Sequence, residues 1–283
     1  MQKASKPICL LFCLWEDLRC LNANLLSNHT SIMVVVKTAA PSEAIASTNS
    51  ELHMVSGQVI RYVAPVPLDS ENNNDHQHVV MLAQEKRLLF GDINDELDKW
   101  IGVSEMCQAI DHLVEIDMET DLFKGKNVLE VGFTSGLPSV YAMEHGAKNA
   151  TIYSSNATLL DAYAKPTMRR NNIRNNVEFV TGEIEDLKTM LTNTKYDIIL
   201  APELVNTKSE YFEEIHDMLE TVLSDNGMIF FSGRTHYNTC DGNMQSMLDI
   251  IKSKNRFDAI DRSPMLQNHT APRKIFQLMR KIF

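Results

Sequence analysis

The stretch NVLEVGFTSGL, running from Asn127 to Leu137, decides the fold. Asn127–Val131 reads as a short buried strand, because Val128, Leu129 and Val131 are bulky and apolar. Gly132 and Gly136 bracket a turn, and Leu137–His145 then reads as a helix stopped by Gly146. A strand, a glycine turn and a helix are the opening unit of a parallel α/β sheet. Glycine lets the backbone come close to a ligand, and a helix start offers unpaired N–H groups. The loop does not fit Gly-x-x-x-x-Gly-Lys-Ser/Thr, so a P-loop is excluded.

The alternation continues on both sides. Downstream, strands are expected at Ala150–Tyr153, Val177–Val180, Tyr196–Leu200, Met228–Ser232 and Lys274–Leu278. Helices are expected at Asn156–Arg170, Ile184–Leu191, Ser209–Leu223 and Gly242–Lys254, with a break at Gly227. In Ser209–Leu223 the residues Tyr211, Phe212, Ile215, Met218, Leu219 and Val222 form one apolar stripe, opposite a solvated acidic face. Upstream, Trp100, Val103, Met106, Ile110 and Leu113 recur at helical spacing within Leu97–Val114. Such alternation implies an α/β, Rossmann-like, doubly wound sheet with right-handed crossovers. Ligands bind such sheets at the carboxyl ends of the strands. Function is therefore expected in the loops after Val131, Tyr153, Val180 and Leu200.

The chain has 283 residues, with 27 Lys and Arg against 37 Asp and Glu, a net charge of −10. That balance argues against general nucleic-acid binding, which needs a basic surface. Lys165, Arg169, Arg170 and Arg174 make a short basic run that reads as a solvated helix face. The 5 cysteines include no Cys-x-x-Cys pair and read as reduced thiols, which points to the cytoplasm, with the nucleus as the alternative. His76 and His78 lie in a polar run that reads as solvent-facing, and no metal site is expected. Only 11 glycines occur, where about 7% usage would give roughly 20.

Residues 1–84 read as an N-terminal extension, partly disordered, and 85–283 as the α/β domain. Pro7–Trp15 is apolar but too short to span a bilayer, which takes about 20 residues, and no small-residue cleavage site follows. It reads as a hydrophobic helix or leader. Ala39–Ser50 and Asp69–His78 read as linkers.

Each loop offers candidates. In the first, Glu130 can meet a ligand ammonium, and Gly132, Thr134, Ser135 and Gly136 can approach a nucleotide-like ligand. In the second, after Tyr153, Ser154 stands where an acid would accept from both ribose hydroxyls, and Ser155 or Asn156 caps the next helix. In the third, Gly182, Glu183 and Ile184 can receive an adenine ring, or Glu183 sits in a first helical turn. In the fourth, Pro202 breaks the strand, and Glu203 and Asn206 lie where substrate meets cofactor.

In order and spacing, from about Asp95 to Phe283, these motifs resemble the seven-strand S-adenosylmethionine-dependent methyltransferases. Within them the chain is most similar to the histidine protein methyltransferase family. Val128 to Leu137 matches that family's V-L-D-L-G-C-G-S-G-L. Asn156 and Pro166, Gly182-Glu183, Tyr196–Leu200 with Glu203, Asn226-Gly227 and His236-Tyr237 match further motifs, and Trp100 fits a Trp ahead of the fold.

The resemblance implies S-adenosyl-L-methionine as cofactor, bound by the loop residues named and by Trp100. It also implies methylation of a histidine in a protein substrate, with a large-subunit ribosomal protein as the family target. Glu203, Asn206 and His236 are the candidates to orient the acceptor. A monomer is expected, with no membrane and no DNA as partners. The chain departs from the family at several positions: a glycine is Thr134, the ribose-binding Asp is Ser154, the Glu after the Trp is Ile101, two glycines before it are Asp95 and Glu96, the Trp of Gly-Glu-Trp is Ile184, a Ser before Glu203 is Pro202, and a glycine run survives only as Gly242. Thr134 and Ser154 support an alternative, a degenerate relative that kept the fold as a binding module. A Rossmann oxidoreductase fits less well, because the third glycine of Gly-x-Gly-x-x-Gly and the second-strand acid are absent.

Overall fold

The computed structural model describes residues 18–20, 35–37, 47–65, 95–182, 194–263 and 272–281. The chain divides into two compact units, Met1–Ile45 and Ala46–Phe283. In the first, β1 (Leu18–Cys20) pairs antiparallel with β2 (Val35–Lys37). The apolar run Pro7–Trp15 and the Asp69–His78 segment lie outside the described residues.

The second unit opens with a hairpin that falls within the expected N-terminal extension, and only its first residues, Ser47–Ser50, lie in a stretch read as linker. β3 (Ser47–His53) pairs antiparallel with β4 (Val59–Pro65) around Gly57. Its Leu52, Met54, Ile60 and Val63 are buried in the main core. The compact unit thus begins well ahead of residue 84. The hairpin pattern is hard to see in Ser47–Ser50 because the strand is polar there.

Next come α1 (Asp95–Asp111), closed by a wide turn over His112–Ile116, then β5 (Asn127–Glu130), α2 (Leu137–Glu144) and β6 (Asn149–Ser154). The helical stretch α3 runs as Ala157–Leu159, a π turn Leu160–Ala164, and Lys165–Arg170. A single helix was expected. Pro166 has no N–H for the preceding turn, which favours such a widened turn beside it. The order continues with β7 (Val177–Thr181), β8 (Tyr196–Ala201), α4 (Phe212–Val222), β9 (Leu223–Arg234), α5 (Met244–Lys254), β10 (Phe257–Asp261) and β11 (Arg273–Arg280). The helix expected at Ile184–Leu191 lies outside the described residues.

Seven strands form one sheet in the order β10-β11-β9-β8-β5-β6-β7. β7, β6, β5, β8 and β9 run parallel, and β11 is antiparallel to both its neighbours. Adjacent residues on each central strand face opposite ways, as the pleat requires. Val128, Ile198, Leu200 and Phe230 point into the core shared with α1, α2, α3 and the hairpin. Leu129, Ile199, Ile229 and Phe231 point into the core shared with α4 and α5. Both faces are covered, so the strands read as continuous apolar runs.

Two details differ from expectation. Gly227 lies inside β9, where the pairing jumps from Tyr196↔Leu223 to Ile198↔Met228, so the expected break appears as a bulge. α4 also passes straight into β9, Val222 to Leu223, with no connecting loop.

Candidate active site

A cleft of about 420 Å³ opens at the carboxyl ends of β5, β6 and β8. There the chain leaves β5 for β6 on one side and later returns to β8 on the other, the usual position for a ligand site. Small-molecule sites occupy about 300–1,000 Å³.

The first loop contributes Val131, Gly132 and Phe133. Gly132 has φ 85°, and a Cβ there would lie 2.4 Å from the Pro202 carbonyl oxygen. The Phe133 N–H donates to that same oxygen (2.8 Å), so the first and fourth loops are joined at a point only glycine permits. Gly136 (φ 82°) precedes α2 and packs against Ala164.

Glu130 does not face the cleft. Its buried carboxylate accepts the Gly136 N–H (2.9 Å), the Ser139 N–H (3.0 Å) and the Ser139 hydroxyl (2.5 Å). Burial pushes the carboxyl up, and these donors pull it down. The acid expected to meet a ligand ammonium instead closes its own loop and occupies the N-terminus of α2. Ser135 is buried, its hydroxyl accepting the Leu137 N–H (3.1 Å). Thr134 is buried, and its hydroxyl has no hydrogen-bond partner among the described residues. Neither lines the cleft.

Tyr153, Ser154 and Ser155 form the second side. The Tyr153 hydroxyl donates to the Gly182 carbonyl (2.7 Å), tying the second loop to the third. Asn156 is the helix cap, accepting the Thr158 N–H (2.9 Å). Ser154 Oγ accepts the Asn156 N–H (3.2 Å), which leaves its own proton for a ligand. Glu183 and Ile184 lie outside the described residues.

The fourth loop supplies Glu203, Leu204, Asn206 and Thr207, and α1 supplies Lys99. Glu203 adopts φ 54°, a left-handed conformation uncommon for a non-glycine residue. Its buried carboxylate pairs with Arg273 and accepts the Tyr237 hydroxyl (2.8 Å). Burial raises the Glu203 carboxyl, against the pull of Arg273. Burial and the neighbouring Glu203 charge raise Tyr237, which keeps it a donor. The Glu203 side chain is thus fully engaged. Asn206 faces the cleft, with Cys240 Sγ 3.6 Å from its Oδ1. His236 is exposed and is absent from the cleft wall. Trp100 is buried behind Phe133, edge-on at 5.4 Å between centroids, and is also off the wall.

Two features were invisible in the sequence. One is the apolar wall of Tyr211, Ile215 and Met218, which read as core stripe. The other is a buried ionic cluster behind the cleft. Arg273 reaches Glu203, Glu105 (2.8 Å) and both the carbonyl (3.0 Å) and carboxylate (3.2 Å) of Asp98, while Arg234 pairs with Asp98. Burial would lower Arg273, but Glu203, Glu105 and Asp98 together hold it above its ordinary value. Gly102 lets α1 come this close, since a Cβ there would meet the Glu203 carboxylate at 2.2 Å. Gly242 has a similar duty, since its Cβ would meet the Thr207 carbonyl at 2.0 Å.

No family model matches the chain. It is 39% identical over 251 residues to the uncharacterized protein F22B7.9 of Caenorhabditis elegans, covering 88% of this chain and 100% of that one. The chain belongs to the same family as F22B7.9. A histidine protein methyltransferase 1 homolog of Dictyostelium discoideum is 25% identical over 160 residues, 56% of this chain and 51% of that protein. The protein arginine N-methyltransferase PRMT10 of Arabidopsis thaliana is 29% identical over 102 residues, 36% and 24% of the two chains. The chain thus spans about half or less of the length of these two methyltransferase relatives. A solved O-methyltransferase from Bacillus cereus, in complex with SAH, superposes with a TM-score of 0.46 at 13% identity, covering 75% of this chain and 94% of that one. The seven strands and their flanking helices form the Rossmann-like sheet that the sequence resemblance implied. Among the described residues no helix is long and apolar enough to cross a membrane.

The second loop yields a test. A charged partner for the ribose hydroxyls is worth about 1–3 kcal/mol, roughly ten- to a hundredfold in affinity. Aspartate at position 154 can still accept the Asn156 N–H. Ser154→Asp is therefore expected to tighten S-adenosylhomocysteine binding about tenfold in calorimetric titration. Unchanged or weaker binding would mean that Ser154 does not face the ribose.

Proposed function

We propose that the chain is a protein methyltransferase that transfers the methyl group of S-adenosylmethionine to a ring nitrogen of a histidine in a protein substrate. The observation that carries this reading is the cleft at the ends of β5, β6 and β8, walled by Gly132, Tyr153 and Ser154 on one side and Asn206 on the other. Its size suits the cofactor. The hydroxyl proton of Ser154, on the cleft wall, is a donor that a polar ligand would satisfy.

Bound S-adenosylmethionine supplies an already activated methyl group. The protein's own task is to align and desolvate the acceptor. Tyr211, Ile215 and Met218 exclude water from one wall, and Asn206 offers an amide that can accept the N–H of a neutral imidazole. That hydrogen bond leaves the other ring nitrogen with its lone pair free to attack in line. The methylated ring then loses a proton to solvent.

The acceptor chemistry also bears on arginine. A guanidinium stays charged and needs carboxylates around it. Among the described residues, the one carboxylate on the cleft wall, Glu203, is taken by Arg273 and Tyr237. A neutral imidazole needs no such partner.

The full chain is expected to give measurable heat on titration with S-adenosylhomocysteine. With methyl-labelled S-adenosylmethionine and proteins from cells lacking this chain, the hydrolysed product is expected to contain methylhistidine. A large-subunit ribosomal protein is the first substrate to try. Labelled methylarginine would overturn the acceptor. Binding without any product would favour the binding-module alternative, and no heat at millimolar ligand would overturn the cofactor reading.

A further inference from the structure

The β3–β4 hairpin lies ahead of the seven-strand sheet in sequence, yet it is bonded to three of the helices that surround the first loop. The Val63 N–H donates to the Thr167 hydroxyl (3.1 Å) of α3. Asn171, at the end of α3, both accepts the Arg61 N–H (3.1 Å) and donates to the Arg61 carbonyl (2.7 Å). The Ser56 N–H donates to the buried Asp111 carboxylate (2.8 Å) at the end of α1. Gln58 pairs with Glu144 of α2. One side chain of this hairpin then enters the aromatic cluster behind the cleft. The Tyr62 ring lies 5.4 Å from Trp100 at 22°, stacked. Trp100 in turn meets Phe133 and Tyr163 edge-on, each at 5.4 Å. Phe133 lines the cleft.

We propose that Tyr62 is a positioning residue for the cofactor cleft, acting through Trp100 to fix the Phe133 ring and the loop that carries it. The inference rests on the reading of that cleft as the S-adenosylmethionine site. The physical basis is a chain of contacts without slack. Stacked and edge-on pairs have preferred geometries. Phe133 sits between Gly132 and Thr134, and its own N–H bonds this loop to the Pro202 carbonyl (2.8 Å). With no flat face at position 62, Trp100 loses the surface that holds its tilt, and Phe133 loses its backing. The hairpin is therefore part of the binding machinery and more than a cover for the core.

Titration of the full chain with S-adenosylhomocysteine tests this. Tyr62→Leu keeps an apolar side chain but removes the ring, and it is expected to weaken binding about three- to tenfold, the range of one aromatic pair. Tyr62→Phe keeps the ring and is expected to bind as the parent does. In a Trp15→Phe background Trp100 is the sole tryptophan, since the chain has 2. Its emission should change on ligand addition in the parent and in Tyr62→Phe, and change less in Tyr62→Leu. A side chain that only filled the core would lower the melting temperature without altering affinity well below it. Equal affinities for all three proteins overturn the proposal, and so does a leucine variant that fails to fold, since that assigns Tyr62 to the core alone. If the parent itself binds no ligand, the reading of the cleft falls first, an outcome distinct from equal affinities.

Discussion

Replacing Gly132 by arginine is expected to abolish S-adenosylhomocysteine binding, a loss on the order of a hundredfold or more. Three effects act together. The backbone at φ 85° disfavours any side chain, at a cost of about 1–3 kcal/mol. The new Cβ would lie 2.4 Å from the Pro202 carbonyl oxygen, a backbone atom that cannot swing aside. Either the first loop or the fourth must move, and both line the cleft. The arginine side chain then takes up room in the space that remains. Far-ultraviolet circular dichroism checks that the sheet persists, and Gly132→Ala separates strain from bulk. Retained affinity in a folded Gly132→Arg variant would show that this loop is not the cofactor site.

Arg273→Met is expected to be the most destabilising single change. It leaves the carboxylates of Glu203 and Asp98 buried, with Arg234 the remaining cation of the cluster among the described residues. Breaking a buried pair costs about 3–5 kcal/mol, a large part of the 5–15 kcal/mol that holds an ordinary domain folded. For a chain of this size the melting temperature should fall by about 10 °C or more. Adding Glu203→Leu removes one stranded charge and should recover part of that loss, a coupling that a double-mutant cycle reads directly. A fall of only two or three degrees would show that the cluster is replaceable, and that Glu203 is held by Tyr237 and its own backbone.

The sheet was legible in the sequence wherever local pattern and final environment agree. Asn127–Glu130, Asn149–Ser154 and Tyr196–Ala201 are buried on both faces, so their apolar runs announce them. β10 was missed because only Phe257 of its residues is buried, at the sheet's edge. The site was legible in the same partial way. Gly132, Tyr153, Ser154, Ser155, Glu203 and Asn206 do come together at one cleft. Glu130, by contrast, offers the same residue type whether it faces a ligand or its own helix, and only three-dimensional hydrogen bonding decides. Tyr211, Ile215 and Met218 show a helical stripe, but periodicity cannot separate a core wall from a ligand wall. The Arg273 cluster joins positions 70 and 175 residues apart, beyond any local pattern.

The direct passage of α4 into β9 has a dynamic consequence. A wall that opens needs a hinge, and between Val222 and Leu223 there is no residue to serve as one. Moving Ile215 and Met218 outward at that end would pull on Leu223, which pairs with Tyr196 of β8 and whose carbonyl accepts from Arg280 of β11 (2.9 Å). Amide hydrogens of the C-terminal half of α4 should therefore exchange with solvent as slowly as those of the central strands, as one cooperative unit. On that side the cleft behaves as part of the sheet, and ligand exchange has to proceed without a moving lid there.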